Sequence, residues 1–401
     1  MDTLNSGFSP RPRLLYICDW LPPDFGAVGQ YSLGFARELS AGGKDVVLAG
    51  LSSTANSIEV ATFGNGRLEI LRFKGIQYDR SSLLKRAFWT MRTNVRLIVR
   101  LRRHLVSADE ILFTGSPPFL LHFLAPLNVL LRKRLIYRIT DFYPECVMAG
   151  RERVPLMLKW LYALTLFWRK RVDIFEVLGE DQRRRLLEIG IPSQRIRLKR
   201  DPSPVPILAG TTPLQRPAEL SAHAVLLYSG NFGVAHDHET FIEGYRIHHR
   251  EGSGRVVLWL NAVGAKADLV ENELRTAGLP VHRSRPVPLS ELAGLLVTPD
   301  AHLVTLRDPF VGYVMPSKVY GCIESGGDVL YIGSTKSDVH LLCSEWLPTT
   351  AYHQVPTGKP KMVAAALESL ADRALGPNGK RKASKPRGEK SHPKLAPNQP
   401  V

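Results

Sequence analysis

Cysteine is scarce in this chain. The four that occur, Cys18, Cys146, Cys322 and Cys343, are far apart and share no metal-type spacing. That pattern excludes a disulfide scaffold and a zinc knuckle, and it fits small buried residues in a reducing compartment. Long apolar runs are also missing. Phe119 to Leu131 is short and contains His122 and Pro126, and Val154 to Trp168 is interrupted by Lys159. Neither reaches the ~18 uninterrupted residues expected of a spanning helix. Met1 to Arg13 holds no apolar core of signal-peptide length. Negative charge is the other deficit. Asp and Glu number 37 against 53 Lys and Arg, a formal net charge of +16. An excess of that size favours an anionic partner: nucleic acid, anionic lipid or a phosphorylated substrate. Recognisable nucleic-acid folds and interleaved base-stacking motifs are absent, so no nucleic-acid partner is expected.

What the chain does have is alternation. Arg13 to Cys18 is a short apolar run, followed by a Pro/Gly loop, helical spacing from Tyr31 to Leu39, and a second run from Lys44 to Leu51. Glu110 to Thr114, Arg134 to Ile139 and Val172 to Leu178 predict later strands of the same sheet. The second half repeats the logic, with strands at Ala224–Ser229, Val256–Asn261, Ala301–Leu306 and Asp328–Gly333 and helices between them. The class is α/β, with parallel sheets covered on both faces. Asp201 to Pro217, rich in Pro and Thr, is the expected linker. From Gly376 to Val401 the chain is Pro-, Lys- and Ser-rich, predicting a disordered basic tail. The tail admits three readings: a solvated end, a further contact to lipid head groups, or a nucleic-acid arm.

Chemistry gathers at the ends of the predicted strands. After Ala301–Leu306 come a Pro/Gly loop, Pro316, a predicted helix N-cap at Ser317, and Lys318. Unpaired N–H groups at a helix N-terminus together with a fixed cation suit a phosphate. A second glycine loop, with Gly26 and Gly29 before the first helix, lets backbone approach a ligand or simply turns the chain. Asp141 directly follows a predicted strand, where site residues gather, and Glu145 lies four residues on; both are candidates to orient a ligand. His236, Asp237 and His238 are too closely spaced for one tetrahedral metal site. His236 is therefore placed facing a ligand after the Gly230 loop, and Asp237 as the cap of the helix that begins near Glu239. Lys85 to His104 is dense in Arg with Phe88, Trp89, Val95, Leu97, Ile98 and Leu101 between, the pattern of a basic amphipathic helix on an anionic membrane surface or of a helix packed on a core. Trp160, Tyr162, Phe167 and Trp168, flanked by Arg169, Lys170 and Arg171, extend that face in the membrane reading.

Five segments then point one way: Asp19–Gln30, Thr114–Pro118, Thr140–Glu145, Tyr228–Asp237 and Pro316–Gly321. In their order and spacing the chain resembles the retaining GT-B glycosyltransferases of group 1, family 4, above all bacterial transferases of capsule, exopolysaccharide and O-antigen assembly. The resemblance implies two Rossmann-like domains facing across a cleft. The acceptor-side domain would span residues 1–205 and the donor-binding domain 206–360, followed by a helix at 361–375 and the tail at 376–401. It implies a nucleotide-sugar donor as substrate, a lipid-linked or glycan acceptor, retention at the anomeric carbon, no required cofactor and no metal. The expected place is the cytoplasm, peripheral on the inner face of the cytoplasmic membrane. Lys318 and Asp141 become the catalytic candidates. Gly230, Asn231, His236, Pro316, Ser317, Lys318 again, Tyr320, Gly321 and Glu324 become donor-side candidates, and Gly26, Gly29, Gln30 and Glu145 candidates for the acceptor side or a phosphate loop. The chain departs from the family pattern in three places. Gly321 stands where many members carry a glutamate, with Glu324 as its expected stand-in. Thr140 stands where many carry a histidine. The customary Arg/Lys pair after Asn231 is absent. Those departures keep two rival functions in view: a non-transferring GT-B partner or sensing protein, and a nucleotide-sugar epimerase.

Overall fold

A computed structural model describes residues 12–24, 27–75 and 83–376. Gly26, and the expected tail beyond Gly376, lie outside the described residues. The chain divides into two compact units. One holds the chain up to Leu178 with Leu186–Leu198, and the other holds Gly179–Arg185 and the chain from Lys199 on. The division falls at Leu198–Lys199 rather than after Val205. The reason is local: the Ser203 amide donates to the Glu324 carboxylate at 3.0 Å, and Asp201, Ser203 and Val205 are buried, so the start of the expected linker is packed structure.

The first unit is built on strands β1 (Arg13–Trp20), β2 (Asp45–Ser52), β3 (Ser57–Phe63), β4 (Gly66–Lys74), β5 (Glu110–Thr114), β6 (Arg134–Ile139), β7 (Ile174–Val177) and β8 (Ile196–Leu198). Their order across the sheet is β3-β4-β2-β1-β5-β6-β7-β8, parallel throughout except for β3, which pairs antiparallel with β4. Continuous apolar runs such as Leu14–Cys18 and Val46–Leu51 are buried on both faces, as parallel strands require. Helix α1 (Ala27–Ala41) covers one face, packing Leu33 and Ala36 against Leu14, Tyr16, Val46, Leu48 and Ile70. Helices α2 (Leu83–Ser107), α3 (Leu121–Leu131) and α5 (Leu156–Arg169) connect strands in the opposite direction along the sheet. Right-handed crossovers therefore put them on the other face. A single turn, α4 (Glu145–Met148), follows β6, and α6 (Glu180–Glu188) follows β7.

The second unit is a six-stranded sheet of β9 (Ala224–Asn231), β10 (Val256–Val263), β11 (Val281–Ser284), β12 (Ala301–Thr305), β13 (Asp328–Ile332) and β14 (Tyr352–Val355). The order is β11-β10-β9-β12-β13-β14 and every pairing is parallel. Counting strands within the unit, this is 3-2-1-4-5-6, the Rossmann order, whose direction reverses between β9 and β12. Helices α7 (Glu239–Arg250), α8 (Ala265–Thr276) and α12 (Pro360–Leu375) bury Phe241, Tyr245, Val270, Leu274, Val363 and Leu367 in one core. Helix α9 (Leu289–Val297) covers part of the opposite face through Leu295. The short α10 (Lys318–Glu324) and α11 (Asp338–Trp346) follow β12 and β13. The terminal helix expected at 361–375 is thus part of the second unit's core.

Candidate functional site

The reversal between β9 and β12 leaves a crevice at the carboxyl ends of those strands, because their connections leave on opposite sides. The sequence places its most polar loop there. Gly230 takes φ +107, a backbone state that a side chain strains, and lets β9 turn out of the sheet. The Tyr228 hydroxyl donates to the Asn231 carbonyl at 3.1 Å, and its ring stacks on Phe232 with centroids 4.0 Å apart. His236 meets both rings edge-on. Its Nδ1 lies 2.7 Å from the Thr305 carbonyl at the end of β12, which requires the proton on Nδ1 and leaves Nε2 as an acceptor. Burial, with the Lys318 charge adding to it, pushes the His236 pKa down to about 3, so the ring is neutral at physiological pH.

Lys318 closes this group. Its Nζ lies 3.2 Å from the centre of the Tyr228 ring and is buried with no hydrogen-bond partner among the described residues. Burial pushes its pKa down to about 7. The electron-rich ring face opposes that shift, since a desolvated cation–π contact stabilises the charged form by about 2 kcal/mol. The Thr305 hydroxyl is likewise buried without a hydrogen-bond partner. Two further cations sit at strand ends of the same edge. Lys266, after β10, approaches His238 Nε2 at 3.3 Å, and Arg307 follows β12, its amide donating to Ala235. Cations along one sheet edge beside unsatisfied buried polar atoms are chemically suited to a phosphoryl group.

Several expectations meet a different geometry. Ser317 is helical in its own dihedrals and its side chain makes no capping bond. The amides of Val319 and Tyr320 are taken by the carbonyls of Pro316 and Ser317, so α10, seven residues long, offers few open N–H groups. The positive charge at this place is the Lys318 side chain rather than a helix end. Pro316 is buried and Tyr320 lies wholly in the core. A Cβ on Gly321 would meet Leu296 Cδ1 at 2.9 Å, so glycine there answers to packing. Glu324, its expected stand-in, holds the Ser203 amide. Of the donor-side candidates, Gly230, Asn231, His236 and Lys318 come together around Tyr228; Tyr320, Gly321 and Glu324 do not join them. Asp237 Oδ1 accepts from the Thr240 amide at 3.1 Å and so caps α7, while His238 turns to Lys266.

The first unit has its own reversal, between β1 and β5. Asp19 at the end of β1 accepts a short hydrogen bond from the Ser116 hydroxyl, just beyond β5. Asp141 follows β6 beside Gly115, whose Cβ position lies 3.0 Å from the Asp141 carbonyl. Burial pushes the Asp141 carboxyl up to about 6. Glu145 is instead consumed by a bidentate ion pair with Arg169, which is fully buried and also donates to the Tyr143 carbonyl at 3.0 Å. A Cβ on Gly29 would fall 1.7 Å from the Trp20 carbonyl oxygen, so this glycine lets α1 press on β1. Gln30 is half-buried on the same helix. Tyr228, Thr305, Lys266, Asp19 and Ser116 were missed as site residues by sequence reasoning. All but Tyr228, which lies within β9 three residues before its end, are at or just past strand ends, a signal that becomes decisive only once the strand order is known.

A scan against protein-family models finds none that matches, and a search of curated proteins finds no match. Solved structures do match. A trehalose-6-phosphate synthase from E. coli bound with UDP-2-fluoro glucose superposes with a TM-score of 0.60 at 14% identity, over 89% of this chain and 91% of that one. HepE of Anabaena in complex with UDP gives 0.57 at 10% identity, over 90% of each chain. The lipopolysaccharide outer core galactosyltransferase WaaB gives 0.54 at 11% identity, again over 90% of each. These likenesses run over nearly the whole of both chains, and with the two parallel sheets described above they establish the fold: it is GT-B, a pair of Rossmann-like domains.

Proposed function

We propose that this protein is a retaining glycosyltransferase that moves a sugar from a nucleotide-activated donor to a lipid-linked or glycan acceptor. We place it in bacterial surface polysaccharide synthesis, at the cytoplasmic face of the membrane. The observation that carries this reading is the buried Lys318 ammonium, without a hydrogen-bond partner among the described residues, at the switch point of the second unit. Such a group is costly unless a ligand completes it. A nucleoside diphosphate supplies the missing charge, and several structures of the same fold hold UDP or a UDP-sugar analogue.

In this reading the acceptor hydroxyl attacks the anomeric carbon on the face from which the diphosphate departs. The carbon–phosphate-oxygen bond breaks as the new glycosidic bond forms, and a leaving phosphate oxygen takes the hydroxyl proton. No strongly basic side chain is needed, in keeping with a His236 whose pKa is near 3 and whose Nδ1–H is held by Thr305. Lys318, with Lys266 and Arg307 at the rim, stabilises the charge that develops on the leaving group. His236 Nε2 is left to accept a hydroxyl of the donor. Asp141, in the first unit, orients the acceptor. The reading includes no metal and no cofactor.

One observation favours a rival. Gly321 has no side chain, and Glu324 is engaged with the Ser203 amide, so α10 offers no ready carboxylate for a ribose. A non-transferring sensor or partner protein of the same fold would tolerate that loss. The test is turnover by pure, folded protein across UDP-, GDP- and ADP-sugars, with and without lipid extract. Transfer to lipid supports the transferase. Conversion of donor without any acceptor indicates an epimerase, and silence across all donors indicates the sensor.

A further inference from the structure

We propose that helices α2, α3 and α5 form a docking face for an anionic lipid bilayer, with α5 as the inserted element. The inference extends the reading above by naming the surface that meets the membrane, but it rests on that reading only for the purpose of docking.

The three helices share the face of the first sheet opposite α1, and α3 lies between the other two. Asn94 of α2 donates to the Pro118 carbonyl just before α3, and His122 of α3 is hydrogen-bonded to Thr165 of α5 at 3.0 Å. Each helix buries one stripe and exposes another. On α2, Thr93, Leu97, Leu101 and Leu105 are buried, while Phe88, Met91, Val95, Val99 and Val106 are exposed at helical spacing on the far side. On α5 the outward stripe is wholly apolar: Leu156 is 70% exposed, Met157 76% and Trp160 72%, with Leu164 and Phe167 continuing the line. Val129 and Leu130 of α3 are exposed as well. Scattered apolar residues on a surface are ordinary; aligned stripes on adjacent helices mark an interaction site.

Charge selects the partner. None of the three helices contains an acidic residue. Arg92, Arg96 and Arg103 border the α2 stripe, and Lys159, Lys170 and Arg171 border that of α5, preceded by Arg151 and Arg153 with Glu152 between them. Arg169 is not among them, because it faces inward to Glu145. Apolar stripes carrying Trp, Phe, Leu and Met, edged by long basic side chains, suit the boundary between acyl chains and anionic head groups. No helix among the described residues is long and apolar enough to cross a bilayer, so the contact is in-plane.

The test is flotation of the full chain with vesicles of phosphatidylcholine alone or with roughly a third phosphatidylglycerol, read together with Trp emission. The proposal expects binding to the anionic vesicles, weakened by salt, with a blue shift. Changing Leu156→Ser, Met157→Ser and Trp160→Ser together is expected to cut partition by about tenfold or more, with the melting temperature kept. Arg92→Gln, Arg96→Gln and Arg103→Gln together are expected to reduce it on anionic vesicles. Three results overturn the proposal. One is absence of binding to anionic vesicles. Another is binding unchanged in the α5 variant but lost when Lys380, Lys382, Lys385, Lys390 and Lys394 become Gln, which assigns the contact to the tail. The third is a dimer in solution that the α5 variant dissolves, with no vesicle binding, which assigns the face to a second copy. None of these measurements uses a sugar donor, so failure of docking and failure of the transferase reading are separable.

Discussion

At the scale of single residues, Lys318 is the most consequential side chain. Its folded pKa, near 7, lies below the ordinary lysine value, so the folded state disfavours the charged form. Stability from this group is fully present above about 10.5, and is lost as pH falls through about 7. Lys318→Met removes the penalty. We expect it to raise unfolding free energy at pH 7 by about 1–3 kcal/mol, allowing for the Tyr228 ring, while turnover falls by orders of magnitude. Urea unfolding and kcat/KM on the same preparation check the pair. A second expectation concerns protons. A diphosphate beside Lys318 raises its pKa again, so nucleotide binding at pH 8 should take up a proton. Calorimetry in two buffers of different ionisation enthalpy reads that uptake, which should vanish in Lys318→Met. Asp141 runs the other way: its carboxyl is raised to about 6 by burial. Stability from its protonated form is present below about 4 and is lost as pH rises through about 6. Asp141→Asn should therefore melt higher than the parent at pH 8, not at pH 4, and lose transfer.

At the scale of elements, close packing decides. Gly29→Ala would drive a Cβ into the Trp20 carbonyl, and about 3 kcal/mol or more of destabilisation is expected by urea unfolding. Glu145→Ala would leave Arg169 buried and unpaired, at a cost of about 3–5 kcal/mol by the same measurement. The helices and strands that carry the folds were legible because parallel strands buried on both faces are continuous apolar runs, as in Leu14–Cys18 and Ala301–Leu306. The hairpin of β3 and β4 was not, because β3 is a mostly exposed edge strand whose residues pack on little. β11, Val-His-Arg-Ser, is too short and polar to announce itself. Helix α10 was found but its cap was misjudged: Ser317 has the right chemistry, yet the turn from Pro316 already satisfies the amides a cap would serve.

At the scale of the whole molecule, the order of strands is what converts scattered residues into sites. Lys318 and the Gly230 loop were visible from local pattern alone. Tyr228 and Thr305 were not, because one is an aromatic inside an apolar strand and the other the polar end of one until β9 and β12 are known to be neighbours flanking the reversal. The same order puts three acid-free helices on one side of the first sheet, which no stretch of sequence displays by itself. The measurement that tests the central claim most directly is thermal stabilisation of the pure protein by UDP, GDP and ADP and their sugar conjugates. A ligand that binds only the folded state raises the melting temperature. The account predicts a clear rise with one nucleotide and its conjugates, abolished in Lys318→Met. No rise with any of them, or a rise that survives Lys318→Met unchanged, would contradict it.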